Sequence, residues 1–583
     1  MCYNSIMKKL ARYLKYFKWQ VIVGPLSKLL ESITELIVPL IMAKIIDVGI
    51  ATNNLNYIIE MGLLIVGLNI AGLIFATICQ KCASLTSVGV GRKIRKDMYK
   101  AVNDYSHAEI DKLGTASFVT RITDDVQQVE NMIGVIIRNV LRAPFLMIGA
   151  TILAITVNPK LSLIFFAVVP TIGAALWIII KMIFPYFTIM RNRLDKVSQV
   201  TRENLSGVRV VRAFNKQEYE KNRFHTANEQ MVNTQLKVGK IAALLNPLTF
   251  LIVDIAVIAV LYFGGIQVNI GGMKQGQLIA FVEYLLTITI SIIVVARILV
   301  VVTRTTASAK RINAVLDSKP SVIEINHTDM KEVVGAPILE FKDVSFSYDN
   351  SMTFAIKNLN LQLKKGQTLG IIGGTASGKT SVINLIPRFY DTTLGEILVS
   401  GTNVKEYPIK QLRTKIGIVP QKAILFSGSL RENLKYRKSD ATDDQIYEAL
   451  EVAQASSFVK AWANNLDYQI MAGGKNVSGG QMQRLTIARA LVGKPDILIL
   501  DDSSSSLDYT TDLNLRRALK KLQCTTIIVS QRASSVKNAD LILVLENGEV
   551  IGRGKHDSLL QNCEIYKEIY DSQTLSKGVN DEK

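Results

Sequence analysis

The chain has 583 residues, of which 49% are hydrophobic and only 20% charged, and its formal net charge is +19. A mean hydropathy of +0.24 is unusual for a soluble protein, and the length is sufficient for several domains. The five cysteines form no disulfide framework, which excludes a small cysteine-stabilised secreted fold.

The N-terminal half is rich in apolar stretches. Residues 1–18 contain five cationic side chains and lack the small-residue cleavage site of a signal peptide, which predicts an amphipathic helix on the membrane surface. Six apolar stretches follow, each long enough to cross a lipid bilayer. They lie approximately at 19–49, 57–83, 132–157, 161–188, 241–267 and 276–302. Buried soluble helices imitate one or two such stretches but not six, so we expect a membrane domain.

The segments that connect these stretches differ in charge. Segments 84–131 and 190–240 contain seven and eleven Lys or Arg residues, whereas the other three contain two altogether. The other three segments are 51–56, 158–160 and 267–275. The positive-inside rule places the two basic segments and both termini in the cytoplasm of a multi-pass protein of the cell membrane. The net charge is explained in this way without a nucleic-acid partner.

Both basic segments show helical patterning on either side of a short interruption. The interruptions lie near 106–111 and 206–209. We therefore expect the spans on either side to continue as long helices beyond the membrane, with tips that contact a cytosolic partner.

Several ionisable residues lie within the predicted spans, where a charge is costly and usually faces a partner or a cavity. Lys28, Glu31 and Glu35 share one face of the first span. The others are Arg138, Arg142, Asp254, Glu283 and Arg297. Ion pairs between helices and a polar path for substrate both explain such charges, and the sequence does not choose between them.

The C-terminal half has a different pattern. After a polar stretch at 312–336, which we interpret as a linker, short apolar runs alternate with helical stretches. This alternation predicts an α/β nucleotide-binding domain at 337–583, following an all-α six-span domain at 1–311.

One stretch of this domain, Gly373 to Thr380, reads G-x-x-x-x-G-K-T and lies between an apolar run and a helical stretch. A strand before it and a helix after it are the context that a phosphate-binding loop requires. In such a loop Lys379 reaches the terminal phosphates of ATP, and the Thr380 hydroxyl helps to hold Mg²⁺. The residues that we expect to bind the nucleotide here are Gly373, Thr375, Ala376, Ser377, Gly378, Lys379, Thr380 and Ser381.

A buried strand at 497–500 ends in two carboxylates. Asp501 fits the acid that orients Mg²⁺ through water, and Asp502 stands where a base for the attacking water is expected. About twenty residues before this strand lies the sequence Ser478-Gly479-Gly480-Gln481, followed by a helical stretch.

Together these motifs resemble those of an ABC exporter half-transporter of the multidrug type, over almost the full length of the chain. The resemblance implies that Tyr348 stacks on adenine and that Gln421 senses Mg²⁺ and faces the membrane domain. It also implies that the signature, Ser478, Gly479, Gly480 and Gln481, contacts the γ-phosphate bound to the opposite subunit. Residues 505–508 resemble the loop that crosses the dimer interface. Residues 121–125 resemble the first intracellular coupling segment, and residues 203–214 resemble the second.

Three positions depart from the family pattern. Asp502 stands where the family has Glu, Gln531 where it has the switch histidine, and Ala472 where many exporters have Glu. Aspartate is shorter by one methylene, about 1.5 Å, and glutamine cannot carry a proton. Two of these changes affect one composite site while the signature is intact, which resembles the degenerate half of a heterodimeric ABC exporter.

We therefore expect a heterodimer that exports amphipathic, drug-like compounds by alternating access. This chain would form a slow, ATP-retaining site from Tyr348, the phosphate loop, Asp501, Asp502 and Gln531. Its signature would complete a fast site on a second half-transporter. Alternatives are a homodimeric exporter of lipid or peptide and an ATP-gated regulatory or channel-like subunit. An importer is disfavoured because both domains share one chain, and a cysteine-peptidase exporter because no soluble domain precedes the first span.

Overall fold

The computed structural model describes residues 9–324, 333–348, 353–503 and 507–578. The chain divides into two compact units. Unit 1 comprises Met1–Val102 and Ala116–Asp317, and unit 2 comprises Asn103–Thr115 and Ser318–Lys583.

Unit 1 is built of helices, several of which are very long. The first eleven helices of the described chain are α1 (Lys18–Lys44), α2 (Leu55–Asp104), α3 (His107–Leu113), α4 (Thr115–Thr120), α5 (Val126–Asn139), α6 (Arg142–Val157), α7 (Leu163–Ser206), α8 (Val208–Ala213), α9 (Gln217–Ala243), α10 (Leu245–Asn269) and α11 (Gln275–Asp317). Of these, α3 lies in unit 2. A 3-10 helix at Arg12–Phe17 precedes α1, and π-helical turns lie at Ile45–Ile50 and Arg121–Asp125.

Five helical stretches of unit 1 are long and apolar enough to cross a membrane. They are Leu55–Asp104, Thr115–Val157, Leu163–Ser206, Gln217–Asn269 and Gln275–Asp317. The 27-residue helix α1 is also long enough, but Lys28, Glu31 and Glu35 lie along its middle and make it less apolar. The prediction of an all-helical membrane domain is confirmed, and α1 corresponds to the first of the six expected spans.

Some of the ionisable side chains in the spans are paired. Lys28 and Glu31 lie one turn apart on α1 and form an ion pair of 2.6 Å, and Arg142 of α6 binds Glu35 at 2.9 Å. Three others are exposed and have no ion-pair partner among the described residues; they are Asp254, Glu283 and Arg297. Pairing therefore accounts for Lys28, Glu31 and Glu35 of α1, whereas the described residues offer no such explanation for Asp254, Glu283 and Arg297.

Helices α2 and α5 approach each other closely at Gly91. Glu130 of α5 lies over this glycine and forms an ion pair of 2.7 Å with Arg95, one turn further along α2. A Cβ atom at position 91 would lie 1.6 Å from Oε1 of Glu130. A second buried carboxylate nearby, Asp125, accepts a hydrogen bond of 2.7 Å from Nε of Arg311 on α11. Buried carboxylates therefore join α2 and α11 to the beginning of α5.

Unit 2 contains twelve described strands. They are β1 (Leu339–Phe346), β2 (Ile356–Leu363), β3 (Thr368–Gly373), β4 (Leu394–Val399), β5 (Thr402–Asn403), β6 (Ile416–Val419), β7 (Gly428–Ser429), β8 (Gln469–Ile470), β9 (Ile497–Asp501), β10 (Thr525–Val529), β11 (Leu541–Glu546) and β12 (Glu549–Gly554). The main sheet has the order β12-β11-β3-β10-β9-β6, and β11, β3, β10, β9 and β6 run parallel. An antiparallel sheet has the order β2-β1-β4-β5.

Helices pack on these sheets. They are α12 (Lys379–Leu385), α13 (Ile409–Lys415), α14 (Leu430–Leu434), α15 (Asp443–Val452), α16 (Ser456–Ala461), α17 (Gly479–Leu491), α18 (Tyr509–Lys521), α19 (Ala533–Val536), α20 (His556–Asn562) and α21 (Glu564–Gly578). The central strands are buried on both faces, as expected for a parallel sheet covered by helices. The predicted α/β fold is therefore confirmed.

Segment 103–115 belongs to unit 2, although it lies between the long helices α2 and α5 in the chain. The ring of His107 on α3 stacks on Phe389, with ring centroids 4.0 Å apart. By contrast, residues 121–125, which resemble a coupling segment, lie in unit 1 as a π-helical turn. The interruption predicted near 106–111 is therefore the part of the first basic segment that packs in unit 2.

The close approach at Gly91 predicts a stability effect. Replacing it in a Gly91→Ala variant should displace the buried Glu130 carboxylate from Arg95 and destabilise the protein by about 2–4 kcal/mol. The measurement is the midpoint of thermal unfolding of the full-length protein in detergent. Gly67→Ala is the matched control, because Gly67 lies on the same helix and a Cβ atom there would contact nothing within 4 Å. Equal midpoints for the two variants would contradict the role assigned to Gly91.

Candidate functional site

The predicted phosphate loop joins β3 directly to α12. Gly373 ends β3, and a Cβ atom there would lie 2.1 Å from the carbonyl oxygen of Leu545 on the neighbouring strand. Gly378 has a φ of +98° as the N-cap of α12, and Ala376 has a φ of +63°. The loop therefore turns sharply from a buried strand into a helix N-terminus, which is the geometry that binds phosphate.

Lys379 closes the loop on itself. Its Nζ donates to the carbonyl oxygen of Gly373 at 2.9 Å and to that of Gly374, and it lies 3.3 Å from Oγ of Ser377. Burial lowers the pKa of Lys379, and the carboxylates of Asp502 and Asp501 offset part of this shift. The carbonyl and hydroxyl oxygens in these contacts are weaker acceptors than a phosphate oxygen. The Lys379 ammonium group is therefore available to an anionic ligand.

Asp501 stands at the carboxyl end of β9, which lies between β10 and β6 in the parallel sheet. It pairs in register with Val529 of β10, and β10 pairs in turn with β3. Burial, and then the neighbouring Asp502, raise the pKa of Asp501 to about 6. A buried carboxylate of this kind fits a divalent cation, because the cation would compensate a charge that burial disfavours.

Asp502 follows immediately and turns away from the strand. Its backbone has a φ of +44°, and its N–H donates to the carbonyl oxygen of Val529 at 2.9 Å. Burial raises the pKa of Asp502, while Arg532 and Lys379 lower it. Aspartate tolerates the left-handed conformation better than glutamate does, so the backbone here suits the residue present.

Gln421 and Gln531 lie at the same edge of the sheet. Gln421 comes two residues after β6 and Gln531 two residues after β10, and both are exposed. The backbone carbonyl of Gln531 accepts a hydrogen bond of 2.8 Å from the Gln573 side chain. Because β3, β6, β9 and β10 are parallel, their carboxyl ends bring the loop, Asp501, Asp502 and both glutamines to one edge.

Tyr348 comes from the other sheet, directly after β1. Its ring is 47% exposed, and its hydroxyl lies 2.9 Å from Oγ of Ser381 on α12. Its ring meets those of Phe346 and Tyr390 edge-on, with centroids 4.7 and 5.2 Å apart. The sequence predicts nucleotide-binding roles for Tyr348 and Ser381 separately. No local sequence pattern predicts the hydrogen bond between them or the ring contact with Tyr390.

The signature residues lie elsewhere in unit 2, at the beginning of α17. Ser478 is the N-cap and forms a capping box with Gln481, with bonds of 3.1 and 3.3 Å. In the described part of the chain, no hydrogen bond joins Ser478, Gly479, Gly480 or Gln481 to residues 373–381. Among the described residues, the hydrogen bonds of the signature therefore stay at the beginning of α17.

Two further predicted segments flank these groups. Ser505 and Ser506 lie outside the described residues, whereas Asp508 caps α18 by accepting from the backbone N–H of Thr511 at 2.9 Å. Ala472, at the position where many exporters have Glu, begins an exposed 3-10 turn at Ala472–Gly474.

Comparison with known proteins agrees with this arrangement. Residues 21–292 match the family described as ABC transporter transmembrane region, and residues 356–505 match the family described as ABC transporter. An uncharacterized ABC transporter ATP-binding protein of Mycobacterium tuberculosis is 32% identical over 579 residues, which cover 98% of this chain and 99% of that protein. An ATP-dependent lipid A-core flippase of Desulfotalea psychrophila is 32% identical over 494 residues, which cover 83% and 85% of the two chains.

The fold also matches a solved structure. A bacterial Atm1-family ABC exporter with ATP bound superposes with a TM-score of 0.76 at 20% identity, covering 97% of this chain and 98% of that one. The chain therefore belongs to the ABC transporter family, as an ATP-hydrolysing membrane transporter in which a helical membrane domain is fused to a cytoplasmic ATP-binding domain.

Proposed function

We propose that this chain is one half of a heterodimeric exporter of amphipathic, drug-like compounds, and that its own ATP site hydrolyses slowly. The observation that carries this proposal is an asymmetry. The phosphate loop and the signature have complete sequences, while Asp502 and Gln531 replace the two groups that the family uses to activate water at this chain's own site. The membrane domain is assigned to 1–311, the linker to 312–336 and the nucleotide-binding domain to 337–583.

The site geometry supports the nucleotide-binding roles. Tyr348 offers an exposed ring for adenine, and residues 373–381 would surround the phosphates with backbone N–H groups and Lys379. Thr380, Gln421 and Asp501 would hold Mg²⁺, which when bound neutralises charge on the phosphates. The buried carboxylate of Asp501, whose pKa is raised by burial and by Asp502, supports this assignment.

Slow hydrolysis follows from the two replaced side chains. A general base must reach its water by a hydrogen bond, and the Asp502 carboxylate ends about 1.5 Å short of where a glutamate would end. Gln531 stands exposed after β10 and can donate a hydrogen bond, but it cannot carry a positive charge toward the γ-phosphate. ATP would therefore be bound and retained at this site.

A second half-transporter is supported by exposed apolar surface outside the spans. At the α7–α8 tip, Leu205, Val210 and Phe214 are 71%, 60% and 72% exposed. In unit 2, Phe426 and Tyr436 stack on each other and are 49% and 70% exposed. Large apolar side chains that cluster on an exposed surface usually mark a contact with another protein. The signature at α17, which does not reach this chain's own loop, would complete the partner's site.

The exposed ionisable residues of the spans support a polar path for substrate. Asp254, Glu283 and Arg297 have no ion-pair partner among the described residues, and a charge in contact with lipid would be unfavourable. A cavity between two half-transporters would give them water and a ligand. Lys28, Glu31, Glu35 and Arg142 are already paired and are less suited to bind substrate.

A homodimeric lipid exporter is the second candidate. It is favoured by the relative of 32% identity that is named an ATP-dependent lipid A-core flippase. The test is ATP-dependent uptake of fluorescent amphipathic cations or labelled lipid into inverted vesicles, with this chain alone and with a partner chain. Robust ATP turnover and transport by this chain alone would exclude the heterodimer. Nucleotide binding without concentrative transport in either preparation would favour an ATP-gated regulatory subunit.

Removing the loop lysine should weaken nucleotide binding. In Lys379→Met the phosphates lose a charge-assisted contact, so the affinity for Mg·ATP should fall by about tenfold or more. Equilibrium binding of a fluorescent ATP analogue to the purified full-length protein checks this. Lys365→Met, which changes an exposed lysine just before β3, is the control and should bind as the wild type does. Wild-type affinity in Lys379→Met would contradict the assignment of the loop.

Restoring the two family residues should accelerate hydrolysis at this site. Asp502→Glu combined with Gln531→His should raise the rate at which ATP bound to this chain loses its γ-phosphate in the assembled exporter by about tenfold or more, because the base then reaches its water. Asp440→Glu, which lengthens an exposed carboxylate elsewhere in unit 2, controls for a general effect of the longer acid. If ATP bound to this chain loses its γ-phosphate no faster in the double variant than in the wild type, these two residues do not limit the site.

A further inference from the structure

Segment 103–115 and the adenine-stacking Tyr348 are connected through a single side chain, Tyr390. The hydroxyl of Tyr390 donates to the carboxylate of Asp111 on α3. Its ring meets Tyr348 at 86° with centroids 5.2 Å apart, and it also contacts Phe346 at 5.5 Å. All of these residues belong to unit 2.

Tyr390 is rigidly held at this place. Arg388, which is 3% exposed, binds Asp391 at 2.7 Å and the carbonyl oxygen of Lys405 at 3.1 Å, and so fixes the backbone on both sides of Tyr390. Burial and the hydrogen bond with Asp111 raise the pKa of Tyr390, so its hydroxyl remains a donor at all physiological pH values.

Helix α3 is held by two consecutive aromatic residues. His107 and Asp111 lie four positions apart and therefore on one face of the helix. His107 stacks on Phe389 at 4.0 Å, and Asp111 accepts from Tyr390. At the N-terminal end of α3, Oγ of Ser106 lies 2.7 Å from that of Ser321. The helix thus docks on the loop that follows α12, the helix that begins at Lys379.

The contacts continue from Tyr390 to the phosphate loop. Tyr348 touches Tyr390 with its ring and reaches Ser381 with its hydroxyl, at 2.9 Å. A base stacked on the exposed ring of Tyr348 would restrict that ring, and the restriction would pass to Tyr390 through the edge-on contact. In the chain, α3 follows directly on α2, a 50-residue helix that includes a membrane span.

We propose that Tyr390 is a positioning residue that couples base stacking on Tyr348 to the docking of α3 through Asp111. The coupling depends on the base of the nucleotide and not on its phosphates. By thermodynamic linkage, a docked α3 must also favour base binding to the same extent. This inference rests on the proposed nucleotide-binding role of Tyr348.

The test measures amide hydrogen exchange in residues 107–113 of the full-length protein in lipid nanodiscs. The two ligands are Mg·ADP and Mg·pyrophosphate, which share the two phosphates, whereas only ADP carries the adenosine with its base. In the wild type, ADP should slow exchange in this segment by about fivefold, as one additional hydrogen-bonded contact becomes stable, and pyrophosphate should not. Equal slowing by both ligands would overturn the proposal.

Variants assign the effect to Tyr390. Tyr390→Phe keeps the ring and removes the hydroxyl, so it should bind ADP but lose the base-dependent slowing. Asp111→Ala should have the same effect, and the double variant should add nothing further. Tyr407→Phe is the matched control, because Tyr407 is a fully buried tyrosine of unit 2 whose hydroxyl binds the carbonyl oxygen of Val399 at 2.9 Å.

The outcomes separate this inference from the proposed function. If the wild type binds neither ADP nor pyrophosphate, the nucleotide-binding role itself is wrong and the inference falls with it. If both ligands bind but Tyr390→Phe retains the wild-type slowing, or Tyr407→Phe loses it equally, only the coupling role of Tyr390 is wrong. Pyrophosphate binding by each variant shows that its nucleotide-binding domain is folded.

Discussion

The parallel pairing of β3, β10 and β9 is the constraint on which the rest of unit 2 depends. Gly373 at the end of β3 passes so close to Leu545 that no side chain fits there, which fixes where the phosphate loop begins. The same register places Asp501 opposite Val529, at the same edge of the sheet. A buried acid, a half-buried lysine and a helix N-terminus thus meet because strand pairing leaves them no other position.

Much of this arrangement can be predicted from the sequence, because it depends on neighbours in the chain. The loop follows a short apolar run and precedes a helix, and Asp501 ends a run of buried residues, so local pattern is sufficient for both. The docking of α3 could not be predicted in this way. Its contacts with Phe389 and Tyr390 join residues about 280 positions apart, and the short segment that makes them has no pattern of its own.

The membrane half shows the same division between local and long-range information. Apolar runs predict the spans well, but whether a charge inside a span is paired depends on the neighbouring helix. Glu35 forms an ion pair with Arg142 on another helix, whereas Asp254 and Glu283 have no ion-pair partner among the described residues. These unpaired charges and the exposed aromatic residues of unit 2 support the proposal that this chain works with a second half-transporter. Asp502 and Gln531 are the basis for proposing that the two halves differ.

The central claim is that this chain retains ATP while its partner hydrolyses it. The most direct measurement is photolabelling of the co-purified pair with azido-ATP that carries its label in the γ-phosphate, after a single round of turnover. The account predicts that the γ-label stays on this chain and disappears from the partner. Loss of the γ-label from both chains at the same rate would contradict it.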